Sequence, residues 1–229
     1  MRHALRILAE REVLVFDLDG TLVDSGPDIR GTLDLALRDC GIAGVAEDDW
    51  VNLHSPLADI VRDALARRQA SAAHSEAVLM AYRQRLARSR YERSVPYAGV
   101  KDFLSDCQSR GHRLAVCTNK AHAEALNMLV HFGLHDFFHG VVGADCARLP
   151  KPDAAPLELL LERLQAQPAQ AVLVGDTHVD ALCARNAGVD FVWHRPGYGD
   201  PALIAALASA AFDSWQELLA GSPRFQCNK

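Results

Sequence analysis

No two cysteines in this chain stand at CxxC spacing. The six thiols, Cys40, Cys107, Cys117, Cys146, Cys183 and Cys227, are scattered, which excludes the zinc-ribbon pattern and a disulfide framework and leaves reduced thiols as the plain expectation. No window approaches the run of about 20 apolar residues that a membrane helix needs. The opening MRHALRILAERE lacks an uninterrupted apolar stretch, because charges break it before any small-residue cleavage site, so no secretory signal is expected. A basic excess is missing too: the formal net charge is −5, which weighs against a dedicated nucleic-acid binder. The histidines, among them His112, His122, His131, His135 and His139, show no HExxH or comparable ligand spacing, and none is assigned a metal. Internal repeats are absent, and the alanine-rich stretch 202–211 reads as helix. These absences lead to the expectation of a soluble cytoplasmic protein, monomer or homodimer, with no nucleic-acid or membrane partner.

What is present is an ordinary globular composition, 49% apolar and 23% charged over 229 residues, enough for one core plus a sizeable insertion. Val13–Phe16 is a short β-branched and aromatic run that ends at Asp17 and the turn-forming Gly20, the pattern of a strand buried on both faces. Similar runs at Arg113–Cys117, 141–143, Ala171–Gly175 and 190–193 each follow a helix-like segment. That alternation predicts an α/β fold, an open parallel Rossmann-like sheet with helices on both faces. Between the first two runs lie almost a hundred residues without a convincing strand, far more than one crossover requires. Pro27 suits a first helical turn, Ile29, Leu33, Ala36 and Leu37 recur at helical spacing, and Gly41 terminates. Leu57, Ile60, Val61 and Leu65, then Val78, Leu79, Tyr82 and Leu86, give two further amphipathic segments. The predicted organisation is a catalytic core of residues 1–24 and 94–229, with a helical bundle, 25–93, inserted after the first strand.

The chemistry-bearing residues follow the predicted strands. In open α/β sheets ligands bind beyond the carboxyl ends of the strands, where DLDGTLVDS, 17–25, delivers Asp17 and Asp19. Two carboxylates two residues apart can divide the labour, one attacking phosphorus and the other moving protons. Taken singly, other residues have plainer structural readings. Thr118 suits a helix N-cap, Lys151 a solvated lysine, and Asp176 with Thr177 another cap.

DLDGTLVDS resembles the first motif of the haloacid dehalogenase-like hydrolase superfamily. VCTNK is similar to the second, which implies that Thr118 hydrogen-bonds the phosphoryl oxygens. LPKPD resembles the third, making Lys151 the cation that neutralises nucleophile and phosphate. VGDTHVD is similar to the fourth, in which Asp176 and Asp180 hold Mg²⁺. The motifs occur in the family's order across nearly the whole chain. The resemblance implies an Mg²⁺-dependent phosphoric monoester hydrolase with Asp17 as nucleophile and metal ligand. Asp19 then serves as general acid and base, with its backbone carbonyl on the metal, and Thr21 and Asn119 support the phosphate loop. Physically, a dianionic ester repels an attacking carboxylate unless cations surround it, and Mg²⁺ takes hard oxygen ligands while keeping several waters.

The insertion resembles the helical cap of the C1-capped members, and residues 193–204 (WHRPGYGDPALI) resemble the phosphoglycolate phosphatase-like branch. The substrate implied is a small phosphorylated metabolite, with 2-phosphoglycolate first. Sugar phosphates, nucleotides, pyrophosphate and a β-phosphoglucomutase-like mutase reaction stand as alternatives. A signalling receiver domain is the rival of another class, but its phosphoacceptor follows the third strand and it has no cap. Residues 53–61, LHSPLADIV, occupy the cap specificity segment without the glycine usual near His54 or Ser55. His54 and Ser55 are therefore candidate substrate contacts, with a surface or capping role as the plainer reading. Gly197 and Gly199 read as a turn. The cap arginines Arg62, Arg67, Arg68, Arg83 and Arg85 read as a solvated face or as steering charge for an anion.

Overall fold

The structure is a computed structural model and describes residues 1–45, 53, 55–88 and 91–221. The chain forms two compact units, Met1–Asp24 with Pro96–Lys229, and Ser25–Val95. The strands are β1 (Val13–Phe16), β2 (Val23–Asp24), β3 (Val95–Pro96), β4 (Arg113–Cys117), β5 (Gly140–Val142), β6 (Ala171–Gly175), β7 (Asp190–His194) and β8 (Ala210–Phe212). The α-helices are α1 (Arg2–Glu10), α2 (Gly26–Asp39), α3 (Leu57–Arg67), α4 (Ser75–Leu86), α5 (Val100–Ser109), α6 (His122–His131), α7 (Ala155–Arg163), α8 (His178–Asn186), α9 (Pro201–Ile204) and α10 (Trp215–Ala220).

In the first unit the described strands form a six-stranded sheet of order β5-β4-β1-β6-β7-β8, parallel at every pairing. All four residues of β1 are buried, which explains why VLVF shows no polar alternation: helices cover both faces. The winding reverses at β1, with β4 and β5 on one side and β6, β7 and β8 on the other. The carboxyl end of β1 is therefore a topological switch point, where open α/β sheets hold their ligands.

Register then aligns the chemistry. Phe16 pairs with Val116 on one side and Val174 on the other, so Asp17, one residue past β1, lies level with Cys117 and Gly175, the last residues of β4 and β6, and Thr118 and Asp176 follow one residue later. The Asp17 N–H donates to the Val174 carbonyl at 2.8 Å. A buried aromatic group, Phe16, Phe103, His194, Phe212 and Trp215, packs beneath this end. Its polar atoms hold the loop after β1: Trp215 Nε1–H donates to the Thr21 carbonyl (3.2 Å) and His194 Nδ1–H to the Gly20 carbonyl (3.0 Å).

Two elements differ from expectation. The alanine-rich stretch 202–211 is not one helix: α9 stops at Ile204, and β8 pairs with β7 at the sheet edge, Trp193 opposite Ala211. Edge pairing and the burial of Phe212 outweigh the helix preference of alanine there. The opening segment, read only for its lack of a signal peptide, is α1, which buries Ala4, Ile7 and Leu8.

The second unit is helical. Helices α2, α3 and α4 enclose Leu33, Leu37, Ile60, Val61, Leu65, Val78 and Tyr82. Pro27 lies in the first turn of α2 and Gly41 takes a φ of +72° just past its end, which glycine adopts without strain. The Asp28 carboxylate accepts from the Ser94 hydroxyl (2.6 Å) and N–H (2.8 Å), joining the two ends of the unit. Several arginines expected on a solvated face have partners: Arg85 with Asp39, Arg62 with Asp59, and Arg68 with the Ala43 and Gly44 carbonyls.

Candidate active site

Lys151, in the turn before α7, is 2% exposed, and its ammonium donates to Asp17 Oδ1 (2.8 Å), the Cys117 carbonyl (2.8 Å) and Asp180 Oδ1 (2.5 Å). An ammonium has three N–H donors, so these partners account for all of them. Burial alone lowers the pKa of Lys151, but the facing Asp17 and Asp180 carboxylates carry it well above the ordinary lysine value. It stays charged at any working pH.

Asp176 lies one residue past β6 and is fully buried. The Thr21 hydroxyl donates to its Oδ1 and the Tyr198 backbone N–H to its Oδ2, both at 2.7 Å. Thr21, expected at the phosphate loop, thus has its hydroxyl on Asp176. Asp180 is placed by a capping box at the start of α8: its Oδ2 accepts from the Thr177 N–H (3.0 Å) and hydroxyl (2.6 Å). The cap reading of Thr177 therefore holds together with a place beside the cluster.

Asp17, Asp176 and Asp180 each offer a carboxylate oxygen, all within 4.8 Å of one another. Burial raises Asp17 to about 6 against the pull of Lys151. Burial also raises Asp176 well above the usual carboxylate range, helped by the charges of Asp180 and Asp17. When all three carboxylates are ionised, the single ammonium leaves an excess of two negative charges, which opposes their ionisation and which a divalent cation would cancel. The all-oxygen donor set suits a hard cation, so the residues fit such an ion.

The remaining predicted residues of the first unit lie around this cluster. Thr118 is 2% exposed; its N–H donates to the Val142 carbonyl and its Oγ1 accepts from the Lys120 N–H. Asn119 Nδ2 donates to the Lys151 carbonyl at 3.0 Å, tying the second motif to the third. The Asp19 side chain is not part of the carboxylate cluster. Both its oxygens meet the Lys120 ammonium, at 3.0 and 2.8 Å. His54 lies outside the described residues, and Ser55 is half-buried just before α3.

Sequence reasoning missed two contributors. Tyr198 joins Asp176 through its N–H and Asp24 Oδ1 through its hydroxyl (2.8 Å), and Lys120 pairs with Asp19. Each stood in a stretch already singled out, GYG and VCTNK, but neither spacing nor composition says which side chain turns inward.

The fold and site define the class, a doubly wound α/β enzyme whose carboxylates and buried lysine converge at the switch point of its sheet. The chain belongs to the haloacid dehalogenase-like hydrolases, whose family model matches residues 14–194. It is 32% identical over 223 residues to a phosphoglycolate phosphatase of Psychrobacter arcticus, covering 92% of this chain and 95% of that one. It is 35% identical over 192 residues to a phosphoglycolate phosphatase of Caulobacter vibrioides, covering 81% and 79%. The crystal structure of a predicted phosphoglycolate phosphatase from Haemophilus somnus superposes with a TM-score of 0.82 at 27% identity, covering 92% of this chain and 97% of that one. The chain is accordingly a phosphoric monoester hydrolase of the phosphoglycolate phosphatase-like branch. No described helix is long and apolar enough to cross a membrane.

Proposed function

We propose that the protein is an Mg²⁺-dependent phosphatase acting on a small-metabolite phosphomonoester through an aspartyl phosphate at Asp17, with 2-phosphoglycolate the leading substrate. The observation that carries this reading is the Lys151 ammonium bonded to Asp17 at the end of β1, within a cluster whose carboxylates fit a divalent cation. A free Asp17 oxygen attacks phosphorus, the ester P–O bond breaks, and Asp19 supplies a proton to the departing oxygen. Asp19, now a base, takes a proton from the water that attacks the same phosphorus. The Asp17–phosphate bond breaks, and free phosphate leaves with the carboxylate restored. Asp17, Asp176, Asp180 and the Asp19 carbonyl would hold Mg²⁺, which would supply positive charge against the phosphoryl oxygens. Lys151 holds Asp17 in place and offsets its charge, Thr118 contacts the phosphoryl oxygens, and Asn119 fixes the Lys151 loop.

The helical unit serves as the cap that meets the part of the substrate other than phosphate, with Ser55 and His54 as its candidate contacts. The phosphoglycolate assignment draws on the activity of the relatives and on the GYG stretch.

The test is phosphate release from a panel of phosphoglycolate, sugar phosphates, nucleotides and pyrophosphate, with Mg²⁺ and with chelator. Release that needs Mg²⁺ and is fastest with phosphoglycolate is the expected result. Asp17→Asn is expected to lower kcat by more than about 10⁴-fold while keeping the thermal transition. Full activity in that variant overturns the mechanism, and a preference for another ester overturns the substrate.

A further inference from the structure

Lysine is scarce here. Of the 24 basic residues only Lys101, Lys120, Lys151 and Lys229 are lysine, yet two of these four meet the carboxylates of the first motif. Lys151 serves the phosphoryl end and has its three donors engaged on Asp17, Asp180 and the Cys117 carbonyl. Lys120 is the second ammonium at this end of the sheet. Its side chain is 7% exposed and that of its partner Asp19 is 12% exposed, a degree of cover unusual for a lysine on a loop. The compact ammonium is a point charge that suits a narrow place better than a guanidinium fork.

The pairing with Asp19 sets an upper limit on the distance between Lys120 and the reacting ester. Resting on the phosphatase reading, the group that protonates the leaving oxygen must come within about 3 Å of it. Lys120 Nζ is 2.8 and 3.0 Å from the two Asp19 oxygens, so it lies within about 6 Å of the ester oxygen whatever the direction of approach. In a phosphate ester of a 2-hydroxy carboxylate, the carboxyl carbon is two bonds from that oxygen. Its own oxygens can therefore turn to within hydrogen-bond distance of the ammonium. A neutral alkyl group at the same place offers the cation nothing. We propose that Lys120 is a specificity-determining residue that selects phosphomonoesters whose leaving group carries a carboxylate beside the ester carbon.

Steady-state kinetics with Mg²⁺, comparing phosphoglycolate with ethyl phosphate, which has the same chain length and no carboxylate, tests this. In Lys120→Met, kcat/KM for phosphoglycolate is expected to fall about 10- to 100-fold more than for ethyl phosphate, chiefly through KM, as loss of one charge-assisted hydrogen bond requires. Lys120→Arg is expected to restore part of the discrimination. An equal fall for both esters overturns the proposal, because it leaves Lys120 only a hold on Asp19. Should Lys120→Met not fold, the unaltered enzyme decides: glycolate should inhibit at least about tenfold better than glycolamide, and equal inhibition overturns the proposal. Failure of the underlying reading has a separate signature, no Mg²⁺-dependent phosphate release from any ester by the unaltered protein, and it removes the proposal with it.

Discussion

Gly197 has no side chain because Asp176 fills the space. A Cβ built there would lie in contact with the Asp176 Cβ, Cγ and Oδ2 atoms, closer than real Cβ atoms come, so Gly197→Ala must push the carboxylate aside. A displacement of about 1 Å at a reacting centre costs on the order of 100-fold in rate. The variant is therefore expected to lose about 10- to 100-fold in kcat and to need more Mg²⁺ for half-maximal activity, both read from a metal titration. Reading GYG as a turn accounted for its backbone but not for this contact, which joins residues 21 apart in sequence. Asp17 and Asp19 stood out because a strand end followed by a short polar motif is a local pattern, whereas Thr118, Lys151 and Asp176, which singly read as caps and a solvated lysine, were marked by the resemblance of their motifs. Lys120 was not legible, since its pairing partner lies 101 residues away.

Helix α8 shows how an element and a site share atoms. Thr177 caps the helix, and its hydroxyl and N–H hold Asp180, which in turn meets Lys151. Thr177→Ala removes the cap oxygen at about 1 kcal/mol and is expected to lower Tm by about 2–4 °C, measured by calorimetry. It should also lower activity, because Asp180 loses its orientation. A variant with an unchanged Tm would show that the box carries no stability. The five strands read from sequence lie where expected to within a residue or so, because short apolar runs between helix-like segments fill a sheet covered on both faces. Strand β8 was hidden in alanine, whose local preference is helical and whose pairing with β7 depends on a partner elsewhere in the chain.

At the scale of the whole molecule, His194 ties stability to pH. It is 1% exposed, and burial lowers its pKa to about 4 although the Gly20 carbonyl opposes this. In the unfolded chain an ordinary histidine takes up its proton near 6.5. Between these values the unfolded state binds more protons, so stability is lost as pH falls from about 6.5 to about 4, and below that this group adds no further loss. At pH 5 the cost is about 2 kcal/mol relative to neutral pH. In urea unfolding, His194→Gln is expected to narrow the difference between pH 7 and pH 5 by about that amount, and an unchanged difference would refute the assignment. The sequence by itself determined the fold class, the helical insertion and the aspartates that follow the first strand, because hydrophobic period and turn chemistry act over a few residues; Lys151 was marked only by the resemblance of its motif. Only the tertiary structure decided that Thr21 and Tyr198 hold Asp176, that Lys120 faces Asp19 and that a sixth strand closes the edge. Those contacts exist only once a parallel sheet has brought distant strand ends into register.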